Sequence, residues 1–444
     1  MGRVSHFTPF TAYGTCVRVP GGGDETMHDE QNRLRRQRWS IFSILALIYI
    51  LVYFYRVSLA VVAGDLSRDL HLSPAQLGSL SSILFYVYAA AQIPLGPMID
   101  RLGGRLVISG CGVLTAIGGI LFSQAGSMGQ AMAGRVLIGV GTSAVLMATF
   151  TIFSHWFSKK EFGKVSGLMV AVGNLGNLAA TAPLALAVSV IGWRSSFLTI
   201  GILQALVTVL VFGMVRDRPP LNPAEAGEGT AHPPSGMMEA WRQILSNGDF
   251  WLLGGVAFAW YGNYLAVQGL WGGPYLMDVL KMSRAETGNM LMYTSLGFIG
   301  GSLVIDHVAR KLLHSYKKTL LAGQVLLLLL MTAFQGGAEL LPHPMLVLFF
   351  FALGLAVSSG VMIYPIIRSM FPVRIVGTAL TSLNFFVLLG AASVQQVMGV
   401  IINSFVKMTP GVPAQAYHAA FLFPVAALAV AIAVFFFAKD YWEK

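Results

Sequence analysis

Apolar residues fall into twelve blocks along this chain, near 40–63, 76–98, 106–124, 129–153, 164–190, 195–215, 249–276, 287–305, 318–337, 343–367, 378–402 and 415–438. A helix that crosses a bilayer needs about 20 mainly apolar residues, and these blocks have that scale. Lipid offers the backbone no hydrogen bonds, so each block must be helical. The alternation of an outer-membrane barrel is absent. The expected fold class is all-α integral membrane, with twelve transmembrane helices in two six-helix bundles.

The stretches between blocks divide the chain. Residues 1–38 are polar, carry Gly21-Gly22-Gly23 and show no periodicity, so they read as a disordered tail. No apolar segment followed by a small-residue cleavage site precedes the first block. Met27 stands just ahead of Arg33, Arg35, Arg36 and Arg38, and residues 1–26 read as dispensable, an over-called gene start. Residues 216–248 carry Pro219, Pro220, Pro223, Pro233 and Pro234 and read as a linker, within which Met237–Leu245 can form a short amphipathic helix. The expected order is tail 1–38, N-terminal bundle 39–215, linker 216–248, C-terminal bundle 249–438 and C-terminus 439–444.

Composition agrees with a membrane class. Charged residues make up 11% of the chain, against about 25% in average soluble domains. The net charge of +10 follows topology: 22 of the 29 Lys and Arg fall on alternate segments that include both termini. This is the positive-inside bias, which predicts cytoplasmic termini in an inner or plasma membrane and argues against a nucleic-acid footprint. Cys16 and Cys111 form no framework. No metalloprotease His pair, phosphate-binding loop, nucleophile elbow or cysteine metal cluster occurs, so neither catalytic residues nor a cofactor or metal is expected.

The halves repeat. Gly96-Pro97-Met98-Ile99-Asp100-Arg101-Leu102-Gly103-Gly104-Arg105 follows the second block, and Ser302-Leu303-Val304-Ile305-Asp306-His307-Val308-Ala309-Arg310-Lys311 follows the eighth. Asp100 matches Asp306, and Arg105 matches Lys311. Phe157 and Gly163 likewise match Phe371 and Gly377. Parallel repeats of this kind build secondary transporters. The loop Gly96-x-x-x-Asp100-Arg101-x-Gly103-x-Arg105 and the run Arg135-x-x-x-Gly139-x-Gly141 resemble two motifs of the major facilitator superfamily, over about residues 38–440. The resemblance implies two bundles rocking around a central cavity lined by helices 1, 4, 7 and 10. It also implies a gating role for Asp100, Arg101 and Arg105, with Asp306 and Lys311 as their repeat partners. Arg101 and Arg105 could pair with Glu161 or Asp217. Proton-driven drug antiporters of that superfamily carry Gly-Pro in helix 5, whereas this chain has Gly173-Asn174, which lowers the odds of a drug exporter. Asn174 and Asn177 read equally well as helix glue or as substrate contacts.

Two arginines lie inside blocks, Arg56 and Arg135, and no Asp or Glu lies deep in any block. A charged side chain at the bilayer centre costs at least about 2.5–3.5 kcal/mol, so it should face a wet cavity or a partner. An anionic solute would supply that partner, because guanidinium grips carboxylate or phosphate through two parallel bonds. Snorkelling to the surface is the alternative for Arg56, and it weighs more for Arg135, which lies closer to the interface and belongs to a general motif of the family it resembles. The candidate substrate set is Arg56, Arg135, Tyr53, Asn263, Gln268 and Tyr364. Trp260, Tyr261, Tyr264, Trp271, Tyr86 and Tyr88 are further aromatics whose facing sequence does not decide.

The reading is a monomeric secondary transporter for a small organic anion, carboxylate or phosphate ester. Within the superfamily it looks closest to organic anion:cation symporters and organophosphate exchangers. With no intramembrane acid, either the anion brings its own proton or one anion exchanges for another. A siderophore or metal-chelate carrier, a drug exporter and a transporter-like sensor without flux remain as alternatives.

Overall fold

The computed structural model describes residues 23–219, 237–406 and 412–441. They fall into two compact units, Met1–Ser40 and Ile41–Lys444. The chain before Gly23, the proline-rich stretch 220–236 and the last three residues lie outside the described residues. The expectations for the far N-terminal tail, Cys16 and most of the linker therefore fall there.

Every block forms helix, and no strand occurs among the described residues. The first span comprises Gly23–Val57 and Leu59–Asp69, interrupted at Ser58. It begins well before the expected residue 40, because residues 24–38 are rich in Glu, Gln and Arg and extend a helix already nucleated by the apolar run. Spans two to four are Pro74–Leu102, Gly104–Ser123 and Met128–Trp156 (in two pieces, broken at Ala144). The fifth starts at Lys159 and is interrupted at Ala180–Thr181. It turns into the sixth at Gly192, whose φ of 76° only glycine adopts readily. The sixth ends at Met214.

The linker helix Met237–Leu245 forms as its pattern predicts. The seventh span runs Gly248–Asp278 and contains a π-helical segment, Ala266–Trp271. That wide turn frees the Leu265 carbonyl, which accepts from the Gln395 amide at 3.0 Å. The remaining spans are Arg284–Leu312, Tyr316–Thr332, His343–Met370, Val373–Val406 and Ala414–Phe435. Serines cap many of these starts: Ser73, Ser158 and Ser283 form reciprocal boxes with Gln76, Glu161 and Glu286.

Successive spans run in opposite directions. The turn at Gly103 and the ends of spans four, eight and ten therefore share one face, the signature-loop face. The two halves meet tightly at the opposite, far face. A Cβ on Gly78 would lie 2.8 Å from the Gln395 carbonyl, one on Gly399 2.6 Å from that of Pro74, and one on Gly288 2.7 Å from Ala185. Gly273 packs directly on the Ala60 backbone. These contacts join spans two and eleven, five and eight, and one and seven. Toward the signature-loop face the glycines of the same seams, Gly167 and Gly377, have nothing within 4 Å of a built Cβ. The seams are shut at the far face, and toward the other face Gly167 and Gly377 look onto open space.

Candidate functional site

Arg56 ends an apolar helix with only 8% of its surface exposed. Its guanidinium carbon sits 4.8 Å from the Tyr53 ring centre and 4.9 Å from that of Tyr88. The phenols of Tyr88 and Tyr261 also face it as polar partners. Tyr49 closes the ring, its hydroxyl 3.4 Å from that of Tyr53. Tyr364, on span ten, lies within electrostatic reach of Arg56, Tyr53, Tyr88 and Tyr261. It remains 38% exposed, so this wall of the cluster is open. Spans one, two and seven thus each contribute a phenol to one guanidinium.

No acidic side chain pairs with Arg56 among the described residues. Its Nε has no hydrogen-bond partner. Each cation–π contact stabilises a desolvated cation by about 2 kcal/mol or more, but supplies no counter-charge. The cluster is therefore a positive, hydroxyl-lined site with no counter-charge of its own among the described residues.

Span five builds the back of the site. A Cβ on Gly176 would lie 2.8 Å from Tyr53 Cβ and would strike the Ile50 carbonyl, so only glycine lets spans one and five touch here. Gly173 sits against Tyr49 and Tyr53 in the same way. On the same span, Asn177 Nδ2 donates to Tyr264 Oη of span seven at 3.2 Å.

The other expected substrate residues lie elsewhere. Arg135 is fully buried. Its Nη1 donates to the Tyr55 carbonyl at 2.9 Å, Nε to that of Leu80 at 3.2 Å and Nη2 to that of Ser81 at 3.3 Å. It clamps spans one, two and four and holds the backbone next to Arg56. Asn263 Nδ2 donates to the Ala259 and Pro424 carbonyls, both at 2.8 Å. Gln268 Nε2 donates to Ser295 Oγ at 2.9 Å, within the C-terminal half.

A sequence model described as Major Facilitator Superfamily matches residues 45–312, more than half of the chain. The chain belongs to the Major Facilitator Superfamily. Its relatives in that superfamily include a probable L-galactonate transporter of Escherichia coli (strain K12), 26% identical over 313 residues, covering 68% of this chain and 67% of that protein. A probable sulfoacetate transporter of Cupriavidus necator is 26% identical over 290 residues, covering 62% of this chain and 66% of that one. The match thus spans about two thirds of each relative's length. Among solved structures, an inward-facing, unoccupied bacterial homologue of the human lysosomal transporter Spinster superposes with a TM-score of 0.74 at 19% identity, covering 90% of this chain and 97% of that chain. This last likeness concerns the fold alone.

The superfamily's signature loop is built around Asp217. Its carboxylate accepts from the Arg105 backbone N–H at 2.8 Å and sits against Gly103, whose φ of 83° a larger residue would adopt only with strain. The Arg105 side chain lies over the Phe212 ring at 4.8 Å. Arg101 is exposed. The Asp100 side chain is outside what the structure describes. In the second repeat Asp306 pairs with Arg310, at 2.9 Å and one helical turn away, and Lys311 is exposed.

One feature was not visible as a site in the sequence. Asp65, 5% exposed, pairs with Arg284 at 2.5 Å across the two halves and with Arg68 at 2.7 Å. Nearby, Asp69 accepts from the Trp193 indole at 3.0 Å and pairs with Arg194.

Proposed function

We propose that this chain moves a small organic anion across a cytoplasmic membrane by alternating access, with Arg56 as its electrostatic anchor. The observation that carries the reading is a buried guanidinium with phenols on all sides and no carboxylate. Leaving a buried charge unpaired is costly, and a bound anion removes that cost. Relatives named for galactonate and sulfoacetate transport fit a carboxylate or sulfonate head group.

Tyr53, Tyr88, Tyr261 and Tyr364 shape the pocket. Arg135, Asn263 and Gln268 act by holding spans together. The face bearing the signature loop is cytoplasmic by the positive-inside bias, so the conformation described is open to the cytoplasm and shut outside. Asp100, Arg101, Arg105, Asp306 and Lys311 belong to the inner gate, which must close when the Asp65–Arg284 contact opens.

A single guanidinium balances a single negative charge. The site therefore favours a monoanion over a phosphate dianion. With no carboxylate beside Arg56 to carry a proton, the cycle runs as anion exchange or as entry of the anion with its own proton. Counterflow in proteoliposomes tests the reading: liposomes loaded with unlabelled galactonate should accumulate labelled galactonate. Binding without counterflow, for every carboxylate and sulfonate tried, would make the protein a sensor instead.

A further inference from the structure

Among the described residues, five buried amides leave a carbonyl oxygen without a hydrogen-bond partner: Asn177, Asn263, Gln268, Gln324 and Gln395. Of these, only Asn177 is hydrogen-bonded to a tyrosine, Tyr264, whose ring neighbours Tyr261 of the cluster. Its orientation follows from its neighbours. Asn174 Nδ2 donates to the Val170 carbonyl at 3.0 Å, which leaves Asn174 Oδ1 as an acceptor. Asn177 Nδ2 fills that acceptor at 3.2 Å and donates its second hydrogen to Tyr264 Oη. Both amide hydrogens are used, so the orphan is the Asn177 Oδ1 acceptor. Tyr264 Oη is the acceptor in that bond, so its own hydrogen is left to donate.

Asn177 is 3% exposed and Tyr264 2%. The pair is continuous with the Arg56 cluster: the Tyr264 ring centre is 5.9 Å from that of Tyr261. Tyr53, which covers Arg56, also packs on Gly173 and Gly176, beside Asn177 on span five. One free acceptor and one free donor next to each other match a hydroxyl group, which both donates and accepts.

We infer that Asn177 and Tyr264 form a hydroxyl-reading subsite, and that the solute held by Arg56 is a hydroxylated carboxylate. This rests on the anion reading given above and specifies it. A methylene group at this place would leave both polar atoms unpaired, so the site rejects the unhydroxylated analogue.

The test is ligand-dependent thermal stabilisation of the full-length chain in detergent, with gluconate and hexanoate as probes. Wild type should bind gluconate at least about tenfold more tightly than hexanoate. Asn177→Leu, close to Asn in shape, should bring the two within about threefold, by weakening gluconate and leaving hexanoate unchanged. Tyr264→Phe should reduce the ratio in the same direction, and it answers the question if Asn177→Leu does not fold. Equal binding of the two probes by wild type, no binding of gluconate, or an unchanged ratio in the variants would overturn the subsite. Arg56→Gln separates the two readings. If that variant still binds gluconate as wild type does, the anion anchor has failed; if it loses gluconate while Asn177→Leu keeps the wild-type ratio, only the hydroxyl subsite has failed.

Discussion

Asp65 of the first span and Arg284 at the start of the eighth meet at 2.5 Å, joining the two halves of the molecule at the far face. The carboxylate is almost wholly buried, while 29% of the arginine side chain is exposed. A charge-assisted bond of this kind contributes about 1.5–3 kcal/mol, and the exposed arginine places it toward the lower end. It stabilises only the state in which the far face is shut. Asp65→Asn should therefore raise the population open at that face by roughly tenfold, since about 1.4 kcal/mol is one decade. Labelling of a cysteine placed at Thr287, buried within one helical turn of Arg284, should accelerate accordingly. An unchanged labelling rate would show that apolar packing alone holds the face shut.

Arg135 and Arg56 are both buried arginines, but their replacements should fail differently. Arg135→Gln loses the charge-assisted bonds to the carbonyls of Tyr55, Leu80 and Ser81 that tie three spans together, each of a kind that contributes about 1.5–3 kcal/mol. It should lower the melting temperature and yield sharply, whatever ligand is added. Arg56→Gln removes an unpaired charge, and the protein without ligand should be at least as stable as wild type. Thermal unfolding of the two variants in parallel checks this. A stable Arg135→Gln protein that lacks only substrate affinity would return Arg135 to the binding site.

Charge matching at Arg56 makes a pH prediction for competitors. A phosphate monoester carries its second negative charge above a pKa of about 6. Its inhibition of carboxylate uptake should strengthen as pH falls from about 7.5 to about 5.5, because the monoanion fraction rises through that window. A carboxylate competitor, ionised throughout, should inhibit equally across the range. The measurement is the inhibition constant at each pH. Stronger inhibition by the phosphate ester at the higher pH would place a second cation in the site.

The twelve spans were legible because bilayer length and backbone satisfaction leave few alternatives for long apolar runs. The interruptions were less so. The π-helical turn at Ala266–Trp271 depends on Gln395, far along the chain, accepting the role of Leu265's donor. Arg56 was legible as a lone charge in an apolar block. Arg135 carried the same signal, yet its partners are backbone carbonyls of spans one and two, which no side-chain pattern reveals. Tyr88 and Tyr261 were visible only as aromatics, since facing is set by helix rotation and neighbouring spans. Asp65 and Arg284 each read as an ordinary charge at a span end, and 219 positions separate them.

The central claim is that the Arg56 guanidinium anchors the transported anion. Uptake of labelled galactonate into proteoliposomes by wild type, Arg56→Lys and Arg56→Gln, with orientation and folding verified for each, tests it most directly. Arg56→Gln should lose uptake by at least about a hundredfold, the loss expected when one side of a desolvated charge pair is truncated. Arg56→Lys should stay well below wild type, because an ammonium cannot reproduce the two parallel bonds of the guanidinium fork. Wild-type uptake by Arg56→Gln would contradict the account.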